Sequence, residues 1–323
     1  MRPPARQFDD ALAFLGERLR HDVPLGPMCT YRVGGAAERF VEVADAEELN
    51  RIVSAIRAAP ASAPEVLVVG RGSNLLVADT GVSGLVVQLG DGFAQVEVLE
   101  SPAEGRPTVR AGGAASLPVV ARRCVAAGLS GFEWAVGVPG SIGGAVRMNA
   151  GGHGADMAEA LVGVRVVDLT TGEDVVVSAA ELDLAYRRSS ILASQVVVHA
   201  DLRLVRGDRT DGEERLSQIV SWRREHQPGG QNAGSVFTNP PGDSAGRLID
   251  AAGCKGLRVG TAEVSPKHAN FIQADPGGRA ADVAAVMATV IDRVQQAFGV
   301  RLHPETVMVG FDDEVLDALG GAV

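Results

Sequence analysis

Apolar positions change period several times along the chain, and each change marks an element. Over "DAEELNRIVSAIRAA" (residues 45–59), Leu49, Ile52, Val53 and Ile56 recur at helical spacing, with Asp45 and Glu48 placed as a capping box. A short apolar run at 37–43 predicts the strand before it. "EVLVVGRGSNLLVADTGVSGLVVQL" (65–89) then reads as strand, glycine turn, short apolar segment, turn and strand. This alternation gives the first ninety residues an α/β or α+β character.

From about 90 to 210 strands dominate. "PTVRAGGA" and "QVVVHADLRLV" are single runs, "VGVRVVDLTTGEDVVVS" is two runs around a Thr-Gly turn, and "SLPVVARRCVAAG" is a helix with Ser116 at its cap. Residues 1–20 read as an amphipathic helix, and 211–226 as a helix leading out of this region. The loop "QPGGQNAGS" marks a domain boundary. Beyond it come a short helix ("DSAGRLIDAAG"), two strands ("LRVGTAEVS", "ANFIQ"), a long helix over 280–298 and a closing strand ("ETVMVGF"). Val283, Val286, Val290 and Val294 form the long helix's apolar stripe, and the last dozen residues read as a loose tail.

The period breaks down most sharply in "GVPGSIGGAVRMNAGGHG", which holds seven glycines in residues 137–154. Glycine loses the most backbone entropy on folding, so such density belongs where backbone approaches something closely or turns where a side chain would clash. A second glycine turn, Gly70-Arg71-Gly72-Ser73-Asn74, follows a β-run and can offer consecutive N–H groups to an anion. It lacks the Lys of a Walker A loop, and no long helix follows as in a dinucleotide-binding GxGxxG. Singly, the first segment reads equally as a buried strand crossing and the second as a tight turn. Together they suggest one extended ligand with a pyrophosphate, gripped from two sides.

Composition narrows the class. The chain has 323 residues, 46% hydrophobic and 22% charged, with a net charge of −10. That is globular, large enough for two or three domains, and unsuited to nucleic acid, which needs clustered Lys and Arg. No apolar run reaches eighteen residues and the N-terminus lacks a signal core, so no membrane span is expected and the protein is expected to be cytoplasmic. Cys29, Cys124 and Cys254 lie far apart, as buried hydrophobes in a reducing compartment, and no metal is expected. Four polar clusters remain: "YRRSS" (186–190), "NAGSVFTNP" (232–240), "SPKHANF" (265–271) and "HPETVMVG" (303–310). Taken one at a time, each also reads as ordinary surface or turn chemistry. A Ser-His-Asp hydrolase is disfavoured because no G-x-S-x-G elbow occurs.

The ordered series "TYRVGGAA", "GRGSNLLV", "GVPGSIGGAVRMNAG", "YRRSS", "AGSVFTNP", "AGRLID", "VSPKHANF" and "HPETVMVG" closely resembles the UDP-N-acetylenolpyruvoylglucosamine reductase (MurB) family from about residue 24 to 310. The resemblance implies an α+β fold: a two-subdomain FAD-binding unit of the vanillyl-alcohol-oxidase (PCMH) type over 20–90 and 91–210, and a smaller α/β substrate-binding domain over 215–310. Implied cofactors are non-covalent FAD, with NADPH as co-substrate. Implied FAD contacts are Gly70, Arg71, Gly72, Ser73, Asn74, Leu75, Gly137, Pro139, Gly140, Ser141, Gly144, Asn149, Ala150 and Gly151.

The implied reaction sends hydride from NADPH through the flavin to the enolpyruvyl β-carbon of UDP-N-acetylglucosamine enolpyruvate. The product is the lactyl ether UDP-N-acetylmuramate, a peptidoglycan precursor. In this resemblance Arg187 binds the carboxylate and stabilises the enolate, Ser235 protonates the α-carbon, and Glu305 assists. Tyr186, Asn239, Lys267 and His268 match positions near the sugar nucleotide, and Arg247 is expected, on charge, to meet its diphosphate. Many members place a lysine shortly before the serine loop; here "RREHQP" leaves Arg224 or His226 to stand in. The chain runs from "YRRSSILAS" straight into a strand, so it resembles the class without an inserted tyrosine lid. A flavin oxidase of the same fold, with covalent attachment at His153, and a flavin-free nucleotide-sugar-binding module are the alternatives. The oligomeric state stays open, with a monomer the expectation.

Overall fold

The computed structural model describes residues 4–59, 65–99 and 107–320, which form two compact units. The expected N-terminal helix therefore begins partly outside the described residues.

One unit comprises Met1–His21, Arg39–Arg71 and Gly84–Trp222. Its larger sheet orders the strands Asp174–Ser178, Leu161–Asp168, Gln195–Arg203, Thr108–Gly112 and Val96–Leu99, all antiparallel to their neighbours. Valine dominates the two central strands, where β-branched side chains suit the pleated surface. The helices Leu117–Ala126 and Ile142–Arg147 add Leu117, Val120, Ile142 and Val146 to a core that includes Val109, Phe132, Trp134 and Leu202. Asp174–Ser178 is an edge strand and mostly exposed. A four-stranded sheet orders Arg20–Pro24, Ala36–Val43, Val82–Leu89 and Val66–Val68, the last two parallel. Helix Ala46–Ala58 buries Leu49, Ile52, Val53 and Ile56 in a cluster with Phe8, Val41, Leu85 and Val87, as the periodicity predicts. Its start differs from a capping box in one detail. Asp45 accepts the Glu48 N–H at 2.9 Å, but the Glu48 carboxylate reaches past Asp45 to the Ala44 N–H at 2.7 Å.

Asp168 closes the Thr-Gly turn of this unit. Burial opposes its charge, yet bonds from the Thr170 hydroxyl and N–H, the Thr171 N–H and the Ser194 hydroxyl outweigh that and hold the carboxyl below its ordinary range. A depressed carboxyl adds stability above its unfolded pKa and loses it as pH falls through the folded one. Asp168→Asn is therefore expected to cost about 1–3 kcal/mol at pH 7. The gap to wild type should narrow as denaturation is followed down through the acid range below the ordinary aspartate pKa.

The other unit comprises Asp22–Glu38, Gly72–Ser83 and Arg223–Val323. An antiparallel meander (Arg258–Val259, Ala262–Val264, Ile272–Ala274) is backed by helix Ala280–Phe298, which buries Val283, Val286, Met287, Val290, Ile291 and Val294. No side chain at the helix's own N-cap, Arg279, bonds its first turn. Asp79 does so instead, accepting the Ala280 and Ala281 N–H groups at 2.8 and 3.1 Å. Leu75–Val77 pairs in parallel with Val307–Val309. Residues 22–38 and 72–83 thus pack with the C-terminal third although they fall within the first ninety residues. Tyr31, Val33 and Leu76 are buried in that third's apolar cluster, and this explains the grouping.

Three local expectations need correction. The N-terminal segment is a helix at Pro4–Ala11 and a separate 3-10 turn at Ala13–Arg18, broken by Gly16 at φ 56°. The glycine stretch contains a helix, Ile142–Arg147, started by Ser141, whose hydroxyl accepts the Gly144 N–H at 3.4 Å. The described part of the tail is a helix, Asp313–Leu319, with Leu319 fully buried and Gly320 left-handed at its end. Among the described residues no helix is long and apolar enough to cross a membrane.

Candidate active site

The turn after Val66–Val68 is held by its carbonyls. Gln88 Nε2 donates to the Gly70 carbonyl at 2.6 Å, and the Thr30 N–H and hydroxyl donate to the Gly72 and Ser73 carbonyls at 3.0 and 3.3 Å. The backbone N–H groups of Gly70 to Asn74 donate to no acceptor among the described residues. A loop whose Gly70, Gly72, Ser73 and Asn74 carbonyls are taken and whose amides are left over has the donors of an anion nest. Gly72 is required there twice over. Its φ is +59°, and a Cβ would lie 2.4 Å from the Met28 carbonyl oxygen.

The second glycine segment meets the first. A Cβ on Gly70 would sit 2.6 Å from the Ser141 hydroxyl, so two motifs far apart in sequence abut at this glycine. Ile142 and Gly143 donate their N–H groups to the Ala115 and Gly113 carbonyls, both at 2.9 Å, which anchors the start of the helix. Gly137 is buried at the end of a 3-10 turn, whereas Pro139 is exposed. Around Gly144 the single neighbour within 4 Å of a built Cβ is Ser141 Oγ at 3.6 Å, so that face is open. Gly151 differs: its Cβ would strike Asp156 and the Ala155 carbonyl at 2.6 Å, so protein packing explains it. Backbone amides, small hydroxyls and open glycine faces fit the diphosphate and flat ring of a dinucleotide such as FAD.

Two asparagines expected to reach the cofactor turn their carboxamides, in part for Asn74 and wholly for Asn149, to protein partners. Asn74 Nδ2 donates to the Glu305 carbonyl at 2.9 Å, while the Asn74 carbonyl accepts the Val307 N–H at 3.0 Å. Asn149 is 3% exposed; its Nδ2 donates to Asp156 Oδ2 (3.2 Å) and the Ala185 carbonyl (3.0 Å), and its Oδ1 accepts the Ala158 N–H (3.0 Å). Both amide hydrogens are used, so the side chain has none for a ligand.

Arg187 occupies the third position of a tight turn, Ala185 to Arg188, at φ 59°. Its Nη2 donates to the Gly151 carbonyl at 3.2 Å, and the guanidinium lies 5.1 Å from the centre of the exposed Tyr186 ring.

Ser235 and Glu305 are brought together within the other unit. The Glu305 N–H donates to the Val236 carbonyl at 2.7 Å, Phe237 bridges Pro304, and the Thr238 N–H donates to the His303 carbonyl at 3.0 Å, so 235–238 and 303–305 run as an irregular pair. Asn270, which the sequence places with Lys267 and His268 in one polar cluster without giving it a role, fixes this pair from behind. It is 4% exposed, its Nδ2 donates to the Phe237 carbonyl at 2.8 Å, and its Oδ1 accepts the Phe237 N–H at 3.0 Å. The sequence signal for it is its place in "SPKHANF", which marks a polar cluster but not a partner at Phe237. Asn270→Ala leaves both Phe237 backbone groups buried and unpaired, which is expected to cost about 2–4 kcal/mol of unfolding free energy in denaturant titration.

His268 packs edge-on against Phe271 at 4.7 Å, and its Nδ1 accepts the Asn270 N–H at 3.3 Å. Burial lowers its pKa, so the ring is neutral and carries its proton on Nε2. Asn239 Oδ1 accepts the Ala245 N–H at 3.0 Å, and Lys267 Nζ donates to the Arg224 carbonyl at 2.8 Å. Arg247 is placed less favourably than expected for a diphosphate. Its guanidinium forks onto Asp243, whose carboxyl is held down near 2 by that pairing.

Comparison with known proteins matches these features to a family. The family model described as UDP-N-acetylenolpyruvoylglucosamine reductase, C-terminal domain, covers residues 226–309, and that described as FAD binding domain covers 37–178. UDP-N-acetylenolpyruvoylglucosamine reductase 2 of Symbiobacterium thermophilum is 42% identical over 91% of this chain and 92% of its own length. The Acidiphilium cryptum reductase is 41% identical over 95% and 96%. The crystal structure of the Thermus caldophilus enzyme (MurB) superimposes with a TM-score of 0.75 at 36% identity, covering 90% of this chain and 99% of that one. With the fold, the FAD-binding segment and relatives matched over nearly their whole length, this chain belongs to the UDP-N-acetylenolpyruvoylglucosamine reductase family.

Proposed function

We propose that this FAD-dependent reductase completes UDP-N-acetylmuramate through three side chains, Arg187, Ser235 and Glu305, each acting on the same enolpyruvyl group. Bound FAD supplies the hydride, taken from NADPH and delivered to the β-carbon. The Gly70–Leu75 turn, with Arg71 at its exposed edge, and Gly137, Pro139, Gly140, Ser141, Gly144 and Ala150 of the second glycine segment are proposed to hold that cofactor without a covalent link. Residues 20–90 and 91–210 are proposed as its two subdomains, and 215–310 as the part that binds substrate, with Tyr186 beside the sugar nucleotide.

The chemistry sets one demand on each residue. Charge gathers on the substrate carboxylate as the β-carbon gains hydride, and a positioned guanidinium at Arg187 stabilises it. The α-carbon then needs a proton. A serine hydroxyl is a weak acid, able to protonate only a strongly basic, carbanion-like centre, and an enolate is one. Glu305 steadies the enolate or the proton's delivery. Asn239, Lys267 and neutral His268 are proposed to offer an amide NH2, an ammonium and an Nε2–H to the sugar nucleotide, while Arg247 is left mainly to its pairing with Asp243. Such chemistry on a nucleotide-sugar precursor belongs in the cytoplasm, and nothing in it requires more than one copy of the chain.

The observation that carries this reading is the backbone pairing of Val236, next to Ser235, with Glu305, in the unit that also contains the matched segment 226–309. The test is a pair of half-reactions followed by visible absorbance. NADPH is expected to bleach the flavin, and UDP-N-acetylglucosamine enolpyruvate, added without oxygen, to restore it. Acid precipitation is expected to release free FAD. Bleaching with no restoration by the enolpyruvyl compound would overturn the assignment.

A further inference from the structure

The loop bearing Arg187 is fastened to the glycine-rich segment at three points. Ser189 Oγ donates to the Arg147 carbonyl at 2.7 Å, Arg187 Nη2 to the Gly151 carbonyl, and Asn149 Nδ2 to the Ala185 carbonyl at 3.0 Å. The third differs from the others in what it grips. Ala185 and Arg188 exchange N–H···O bonds at 3.0 and 3.1 Å, so the Ala185 carbonyl is the acceptor that closes the turn. Within that turn Arg187 is left-handed at φ 59°, at the position where such turns favour glycine or asparagine. An arginine held there persists only if its surroundings over-determine the turn. Asn149 is itself left-handed, at φ 37°, which asparagine tolerates better than most residues. Its side chain is buried and fully engaged on the glycine-rich segment, with Asp156 and the Ala158 N–H as its other partners.

We infer that Asn149 is a positioning residue for the reaction: by donating to the Ala185 carbonyl it holds the turn that aims the Arg187 guanidinium. The inference rests on the reading of Arg187 as the group that meets the substrate carboxylate. It replaces the role expected for Asn149 as a cofactor ligand.

Asn149→Asp tests it. Aspartate tolerates the left-handed backbone and can still accept from Ala158, but it cannot donate to Ala185 and it places a second carboxylate beside Asp156. The double variant Asn149→Asp/Asp156→Asn removes that repulsion and keeps the lost donor lost. In both, NADPH-driven flavin bleaching is expected within twofold of wild type. Restoration by the enolpyruvyl substrate should fall at least tenfold in rate at saturation. The double variant should recover the Tm of wild type without recovering the rate. Arg187→Ala supplies the control. Adding Asn149→Asp to it should lower the rate by less than twofold more, because residues acting through one another are not additive. A crystal structure of the double variant should show residue 187 out of the left-handed region.

If Arg187→Ala leaves restoration intact, the reading of Arg187 fails. If Arg187→Ala abolishes it while the double variant restores flavin at the wild-type rate, or the two losses multiply, the positioning role fails and the Arg187 reading stands.

Discussion

Replacing Ser235 with alanine is expected to lower turnover by about 10²–10⁴-fold, the usual worth of a positioned proton donor. The loss should fall on one half-reaction. Flavin bleaching by NADPH involves no proton delivery to the substrate and should be unchanged, whereas restoration by the enolpyruvyl compound should nearly stop. The backbone on either side explains why water would substitute poorly. Gly234, at φ 83°, follows an N–H bond to Asn232 Oδ1, and Val236 is bonded through both its N–H and its carbonyl, to Asn270 and Glu305. The hydroxyl is therefore fixed relative to Glu305 by main-chain bonds that the substitution does not touch. Ser235 is half-buried and outside the apolar core, so unfolding free energy should change by no more than about 0.5 kcal/mol. Stopped-flow absorbance of the two half-reactions, with a denaturation curve beside them, separates the outcomes. Equal slowing of both would show damage to the cofactor site instead.

Gly72→Ala is the second large effect, and it acts on binding. The left-handed backbone costs an ordinary residue about 1–2 kcal/mol. The added carbon would also lie 2.4 Å from the Met28 carbonyl oxygen and 2.8 Å from Cys29 Cα, both backbone atoms with little freedom to move. Relief has to come from the turn itself, which would pull its amides away from the anion they serve. Flavin absorbance per polypeptide is expected to drop at least tenfold after purification, with partial recovery in excess FAD. Gly70→Ala is the useful contrast. Its clash is with the Ser141 hydroxyl, a side-chain atom that can rotate, so the loss there should be milder.

Elements with a strong period were legible from sequence. The helices Ala46–Ala58 and Ala280–Phe298 and the valine-rich strands follow from apolar spacing alone. The ending "DDEVLDALGG" carries a weaker helix signal, with Asp312 at its start, Val315, Leu316 and Leu319 at helical spacing and Gly320 at its stop, too short for periodicity to separate it from a tail. What the sequence could not show was which polar groups face one another. Asn74 and Asn149 sit in glycine motifs and look like ligand donors; their partners, Glu305 and Ala185, lie 231 and 36 residues away. Asn270 is a plain polar residue in sequence and becomes a clasp only when Phe237 is laid against it. Side-chain to backbone bonds of this kind have no periodicity, so pattern reading passes over them.

The parallel pairing of Leu75–Val77 with Val307–Val309 bears on how the molecule is made. The bond between Asn74 and Glu305 spans 231 residues, so the turn proposed to grip the diphosphate is finished only after almost the entire polypeptide has left the ribosome. At ordinary elongation speeds that is a wait on the order of 10–50 s, during which an early strand lacks its late neighbour. On the proposed reading of that turn, flavin capture is a closing event of biosynthesis, and a transcript interrupted before codon 305 is expected to yield a product that purifies without flavin.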